Sequence, residues 1–257
     1  MGFVPVVFFG YVGMIMAVVF VTGSSRGIGF GIASAFACNG YRVVLNGRED
    51  KTRLAAAVNE LKEMYGGNVM GICADLSDYE QAKDAFGQIY AAFGHVDVLV
   101  NNAGTAHFGL FGDMHPVELS RVLADNLRST LNASHLAIPH MVRAKAGCII
   151  NITSVWGVVG ASCEVVYSAA KAGVIGFTKA LAKEVGPGGV RVNAIACGAF
   201  DTRMNERLTA EEKAAFMECI PLGRFGEPRE VGELALFLAS DKAGYMTGQV
   251  VGLDGGM

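Results

Sequence analysis

An apolar run that ends in glycines and reopens into a small-residue stretch, VVFVTGSSRGIGFGIA, constrains the fold of this chain more than any other segment. It sets Gly23, Gly27 and Gly29 between an expected strand and an expected helix. Glycine supplies the φ values of a tight turn and lets other groups approach the backbone closely. A helix that starts at such a turn offers unpaired N–H groups and a favourable dipole to an anion. This is the geometry that cradles a dinucleotide pyrophosphate, with Ser24, Ser25, Arg26 and Ile28 as the other turn residues beside it. A glycine-rich turn alone also occurs without a ligand. The strand before it and the helix after it favour the nucleotide site.

Strand and helix patterns alternate along the rest of the chain. After the first strand, MAVVFVTG, the expected strands are RVVLNGR, NVMGICADL, VDVLVNNAG, CIINITS, RVNAIACG and GQVVGLDGG. Helical patterns cover Gly29–Asn39, Lys51–Tyr65, Tyr79–Phe93, Pro116–Arg143 and Tyr167–Val185. Such alternation predicts an α/β fold, a doubly wound seven-stranded parallel sheet with right-handed crossovers and helices on both faces. A chain of 257 residues can build this as one domain, and 34 glycines with 52% apolar residues suit buried parallel strands joined by tight turns. No linker or repeat divides residues 14–257. The polar, partly helical stretch 199–228 follows a strand end and is expected to form a lid.

Composition narrows the partners. The formal charge is −3 with no basic block, which argues against nucleic acid. Six cysteines are scattered without a CxxC pair, as expected for reduced thiols in a cytoplasmic protein. No histidine spacing suggests a metal site. Residues 3–21 carry no charge, but their last part belongs to the first strand, so no membrane span is expected. The preceding residues 1–13 read as an apolar extension. Translation from Met14 or Met16, a disordered or surface-packed arm, and a membrane-associating arm all fit it.

The strand ends point to the cofactor. An NAD site usually carries an acidic residue at the end of the second strand. Here Asn46, Gly47 and Arg48 occupy that end, and Arg26 lies in the nearby turn. Two guanidinium groups suit a ribose 2′-phosphate, so NADP(H) is expected over NAD(H). Glu49 and Asp50 remain able to fold back toward the ribose. Asp75 and Leu76 are expected at the adenine. In NNAG, Asn101 can tie neighbouring strands together, and Asn102, Ala103 and Gly104 leave room for the adenosine ribose.

Chemistry is concentrated in SVWGVVGASCEVVYSAAK, which holds Ser154, Tyr167 and Lys171. Residues four apart share a helix face. A lysine cation there is expected to lower the pKa of the Tyr167 phenol and equip it to exchange a proton with a substrate oxygen held by Ser154. A YxxxK alone is common by chance. Its place downstream of the glycine-rich turn gives it weight.

Taken together, TGSSRGIG, NNAG, Asn126, Ser154, YSAAK and the terminal GLDGGM resemble the short-chain dehydrogenase/reductase family, with its Rossmann fold, from Met16 to Met257. Within it, GVIGFTKALAKEVGPGGVRVNAIA and IPLGRFGEPREVGELALFLASDKAGYMTGQVVGLDGG are most similar to 3-oxoacyl-[acyl-carrier-protein] reductases of fatty acid biosynthesis. The resemblance implies a catalytic tetrad of Asn126, Ser154, Tyr167 and Lys171. Asn126 would open the helix backbone for a proton-relaying water, and Tyr167 and Lys171 would also contact the nicotinamide ribose. It further implies Gly198, Phe200 and Thr202 at the nicotinamide, and a substrate pocket from Ser154, Trp156, Tyr167 and Met204. The implied reaction is reduction of a ketone, foremost a 3-oxoacyl thioester, by a homotetramer that accepts acyl carrier protein. Trp156 also reads as packing, and lid residues Arg207, Phe216 and Met217 suit an acyl chain or a core equally.

Three departures matter. Cys197-Gly198 replaces the usual Pro-Gly, which is expected to loosen the backbone beneath the nicotinamide. NNAG is followed by TAHFGLF without the usual arginine. Of two basic carrier-docking positions, one is Lys145 and the other Gly188. The segment around Trp156 and Glu164 also resembles a sister group that reduces a ketone-bearing lysine adduct on elongation factor P. Sterol, sugar and small-diketone substrates, and a non-catalytic dinucleotide-binding protein, are the alternatives.

Overall fold

Seven parallel strands join in one sheet: β1 (Val18–Val21), β2 (Arg42–Gly47), β3 (Val69–Cys73), β4 (Val98–Asn101), β5 (Gly147–Ser154), β6 (Val190–Cys197) and β7 (Val250–Leu253). Their order is β3-β2-β1-β4-β5-β6-β7. The computed structural model describes residues 16–202 and 209–257. The N-terminal extension, Met204 and Arg207 lie outside them.

The two-residue period of β1 explains both layers. Val19 and Val21 point to one face, where they join Ile32, Phe36, Val231 and Leu238. Val18 and Phe20 point to the other, with Phe86, Ile89, Ala137 and Leu181. All four β1 residues are fully buried, and Phe20 meets Phe86 edge-on at 5.4 Å between ring centroids. The chain order turns back between β1 and β4, and ligands of such sheets bind beyond the carboxyl ends of the strands at that crevice.

The helices are α1 (Gly27–Cys38), α2 (Lys51–Tyr65), α3 (Tyr79–Phe93), α4 (Pro116–Leu123), α5 (Ser129–Ala144), α6 (Trp156–Val159), α7 (Val165–Val185), α8 (Ala210–Glu218) and α9 (Pro228–Ala239). Aspartates cap two of them, Asp50 accepting from the Arg53 N–H at 2.8 Å and Asp78 from that of Gln81 at 3.0 Å. Helix α1 starts at Gly27, two residues before the expected Gly29, because the Phe30 N–H already bonds to the Arg26 carbonyl. Helix α7 starts at Val165 rather than Tyr167, which sets the phenol in its first turn.

The expected single helix Pro116–Arg143 is interrupted by a π turn at Ala124–Arg128. Side chains take over its carbonyls: Asn126 Nδ2 donates to Val122 O, Ser129 Oγ to Asp125 O, and Thr130 Oγ1 to Asn126 O. π turns of this kind concentrate at functional sites.

The two ends of the stretch 199–228 lie together past β6. The Asp201 N–H donates to Gly226 O and the Gly226 N–H to Ala199 O, both at 2.9 Å. Helix α8 follows within the loop, started by a Thr209–Glu212 capping box. No helix among the described residues is long and apolar enough to cross a membrane.

Candidate active site

The glycine turn is built as a cradle. Gly23 and Gly27 have φ of +61° and +57°, where side chains are disfavoured. Gly29 is needed for closeness instead, since a Cβ there would lie 2.5 Å from Asn102 Nδ2 and 2.6 Å from the Gly23 carbonyl oxygen. Three polar side chains hold the turn from beneath. Buried Ser24 donates to Val21 O at 2.7 Å and accepts from the Asn46 N–H at 3.0 Å. Asn46 accepts from the Gly23 N–H at 3.1 Å and donates to Ile72 O and Ala74 O. Asn102 Nδ2 donates to the Thr22 and Gly23 carbonyls. Thr22, which sequence reasoning missed, accepts from the N–H groups of Asn102 and Ala103 at 2.9 Å each.

A cavity of about 700 Å³ lies above this cradle. Of the candidates, Gly23, Arg26, Gly27, Ile28, Gly29, Asn102, Gly104, Asn126, Ser154, Trp156, Tyr167, Lys171, Gly198, Phe200 and Thr202 line it. Ser24, Ser25, Asn46, Gly47, Arg48, Asp75, Leu76 and Ala103 do not. Ser24 and Asn46 spend their polar groups on the backbone, Leu76 is buried in the core beneath β3, and the Ser25 carbonyl accepts from Arg53 Nε at 3.1 Å. Phe108, Glu164, Cys197, Glu212 and Phe216 are among the other residues of the wall.

Strand β5 delivers Ser154 to the cavity floor, and α7 delivers Tyr167 and, one turn later, Lys171. The Ser154 hydroxyl, which accepts from the Trp156 N–H at 3.2 Å, lines the same cavity as the Tyr167 phenol. Lys171 Nζ donates to Ile152 O at 2.9 Å and sits 5.7 Å from the centre of the Tyr167 ring. Burial pushes the phenol well above its ordinary value, and Ser154 only partly opposes it. This corrects the expectation that Lys171 lowers it: the ammonium lies over the ring, and desolvation prevails. Lys171 is itself pulled down to about 8 by burial. Fully buried Asn126 donates from Nδ2 to Thr105 O at 2.7 Å and Val122 O at 2.9 Å. Its Oδ1 has no partner among the described residues and faces Gly104, where a Cβ would collide with it and lie 3.4 Å from Lys171 Nζ.

Cys197 is paired with Ser154 on one side and Leu253 on the other, so the sheet pairing continues to the end of β6. Gly198 allows close packing against Asp254, whose Cα would lie 2.6 Å from a Cβ. Asn101 ties β4 to β5 through Asn151 at 2.8 Å, and Asn151 continues to Thr178 at 2.8 Å. A polar residue inside the apolar strand CIINITS was the available signal for Asn151.

Just past the end of β2, Arg48 is engaged elsewhere than expected. Its Nη1 donates to Asp125 Oδ2 at 2.9 Å, and its Nε pairs with Glu49 at 3.1 Å. Asp125 also accepts from Arg121 Nε at 2.9 Å and Thr105 Oγ1 at 3.0 Å. Asp75 accepts from the Ser77 N–H at 2.9 Å and lies 3.9 Å from Arg121. Burial would raise the Asp75 pKa, but the Ser77 hydrogen bonds and the charges of Arg48 and Arg121 hold it below its ordinary value.

A glycine-rich turn, an orphaned buried amide oxygen and a Ser–Tyr–Lys constellation meet in one cavity at the switch point of a doubly wound sheet. These residues fit a nicotinamide dinucleotide, and the fold and site are those of a dinucleotide-dependent oxidoreductase. The chain belongs to the short-chain dehydrogenase/reductase family. A family model described as enoyl-(acyl carrier protein) reductase matches residues 23–257. The 3-oxoacyl-[acyl-carrier-protein] reductase FabG of Chlamydia muridarum is 43% identical over 237 residues, 92% of this chain and 95% of that protein. An uncharacterized oxidoreductase of Bacillus subtilis, YmfI, is 38% identical over 236 residues, 92% of this chain and 96% of its own length. A solved structure described as "a putative gluconate dehydrogenase from Agrobacterium tumefaciens" superposes with a TM-score of 0.90 at 32% identity, covering 94% of this chain and 95% of that one.

Proposed function

We propose that the protein is an NADPH-dependent ketone reductase whose foremost substrates are 3-oxoacyl thioesters. The meeting of Ser154, Tyr167 and Lys171 in one cavity, with the Lys171 ammonium 5.7 Å from the centre of the Tyr167 ring, carries this reading. NADPH supplies the hydride when bound. Ser154 donates a hydrogen bond to the oxygen on which charge develops. Tyr167, kept protonated by burial, hands its proton to that oxygen. Lys171 stabilises the tyrosinate left behind. Asn126 Oδ1 accepts from the water that passes a proton back toward Lys171. Phe108, Trp156 and Phe216 give the cavity an apolar wall suited to an acyl chain. The test compares NADPH oxidation with an acetoacetyl thioester against sterol, sugar and small-diketone ketones. Equal or better turnover of an unrelated ketone removes the thioester assignment.

A second reading rests on Glu164 and Glu212, two carboxylates in the wall of the same cavity. They suit a ketone that carries a cation, such as an aminoketone attached to a protein lysine. Faster reduction of a cationic ketone than of its neutral isostere supports it.

The NADPH preference rests on Arg48 and Arg26, and on Gly47 standing where an NAD site has a carboxylate. Arg48→Asp is expected to shift the NADPH:NADH affinity ratio toward NADH by about 10–100-fold, the value of one or two charge-assisted hydrogen bonds. Fluorescence titration with both nucleotides measures it, and an unchanged ratio removes the phosphate clamp.

Lys171 also predicts a pH dependence. Its folded pKa of about 8 lies below the ordinary 10.5. The ammonium is lost as pH rises through about 8, so kcat/KM for NADPH, which reports the free enzyme, is expected to fall there. In the same chain the unfolded state holds this proton more tightly. The Lys171 penalty to folding is therefore full below about 8 and is relieved between about 8 and 10.5. A rate profile flat to pH 10 contradicts both.

Six free cysteines suit a cytoplasmic enzyme. We assign a homotetramer, with exposed Val117 and Leu131 of α4–α5 at one two-fold interface and exposed Phe237 and Tyr245 near the C-terminus at another. Light scattering at the tetramer mass supports this.

A further inference from the structure

We propose that Asp125 is an internal competitor of the cofactor 2′-phosphate: its carboxylate occupies Arg48 and closes the adenosine end of the groove until NADPH exchanges phosphate for it. The inference rests on the NADPH reading above and adds a residue that selects and gates the cofactor.

Four observations carry it. The Arg48–Asp125 bridge, at 2.9 Å, links the end of β2 to the π turn across the chain. Asp125 is 6% exposed, whereas the other carboxylate on Arg48, that of Glu49, is 78% exposed. An exposed pair contributes little, so Asp125 is the partner an incoming anion has to displace. Arg48 and Asp75, which follow the ends of β2 and β3, are not among the residues that line the cavity, whereas the glycine turn and the catalytic residues are. Finally, Asp125 keeps two donors when Arg48 leaves, Arg121 Nε at 2.9 Å and Thr105 Oγ1 at 3.0 Å. The exchange therefore strands no buried charge, which makes it reversible.

The exchange also reaches the catalytic end. Asp125 holds the Thr105 hydroxyl while the next residue, Asn126, holds the Thr105 carbonyl at 2.7 Å. A change in the partners of Asp125 thus bears on the same short loop that positions Asn126.

Both nucleotides have to open the bridge, but only NADPH offers Arg48 a replacement anion, and only its phosphate is repelled by the Asp125 charge. The test titrates NADPH and NADH into wild-type protein, Asp125→Asn and Asp125→Ser by fluorescence, with melting curves to select variants that fold cooperatively. Serine keeps a small polar group for Arg121 and Thr105 if the amide is not tolerated. Removing the charge is expected to tighten NADPH by about tenfold, the scale of one unit charge near a surface ion pair, and NADH by less. An NADPH affinity that is unchanged or weaker in a folded variant overturns the proposal, because Asp125 then orients Arg48 rather than competing for it. If wild-type protein binds NADH as tightly as NADPH and Arg48→Asp changes neither, the phosphate reading itself has failed. If wild type prefers NADPH through Arg48 while the Asp125 variants gain nothing, only the competition has failed.

Discussion

Tyr167→Phe is expected to lower ketone reduction by about 10²–10⁴-fold while leaving NADPH binding nearly intact. The substitution removes one oxygen and leaves a ring of the same shape, so packing of the first turn of α7 should survive. What disappears is the proton donor beside Ser154. The phenol sits in a buried place that keeps it protonated, which suits an acid delivering a proton to a developing alkoxide. The reverse reaction, alcohol oxidation, requires the tyrosinate and is expected to need higher pH than reduction. Stopped-flow reduction and nucleotide titration on the same variant separate the two effects. Turnover within a few-fold of wild type would remove Tyr167 from the acid role.

Gly104→Ala is expected to damage both stability and catalysis through one methyl group. The φ of Gly104 is not in the left-handed region, so the backbone itself admits alanine. The added carbon, however, collides with Asn126 Oδ1 and approaches Lys171 Nζ to 3.4 Å. Asn126 cannot yield without losing its bonds to Thr105 O at 2.7 Å and Val122 O at 2.9 Å. Overpacking of this kind costs about 1–3 kcal/mol. For a chain of this size that corresponds to a fall in Tm of about 2–4 °C per kcal/mol. Displacing the π turn beside the active lysine by a fraction of an ångström is expected to reduce kcat by about 10²-fold. Calorimetry and steady-state kinetics read the two losses. An alanine variant with wild-type Tm and kcat shows that the space beside Asn126 is not needed.

The architecture was largely legible before folding because its signals are local. Val18–Val21 is apolar at every position, as a strand covered on both faces has to be. Asp50 and Asp78 announce the starts of α2 and α3 by capping chemistry that involves only the next three residues. The three glycines of the turn were legible as a group, and the fold divides them, two for positive φ and one for close approach. The π turn was not legible in the periodicity, and only the family resemblance pointed to an opened helix at Asn126. Its Asn126 reaches a carbonyl 21 residues upstream, and no periodicity in Pro116–Arg143 records that contact. The engagement of Arg48 was hidden for the same reason, since Asp125 lies 77 residues away along the chain.

Order of elements, the cradle for a pyrophosphate and the spacing of tyrosine and lysine on one helix face are consequences of short-range chemistry, and the residues alone specify them. The protonation of that tyrosine and the employment of Arg48 were settled only by the folded surroundings. Short spacing puts Lys171 near Tyr167, but the phenol is pushed up chiefly by its burial in the fold, with Ser154 opposing and Cys197 and Glu164 adding to the shift from other parts of the chain. Desolvation and long-range charge pairing are properties of the space enclosed by the fold, and a linear order of residues contains neither.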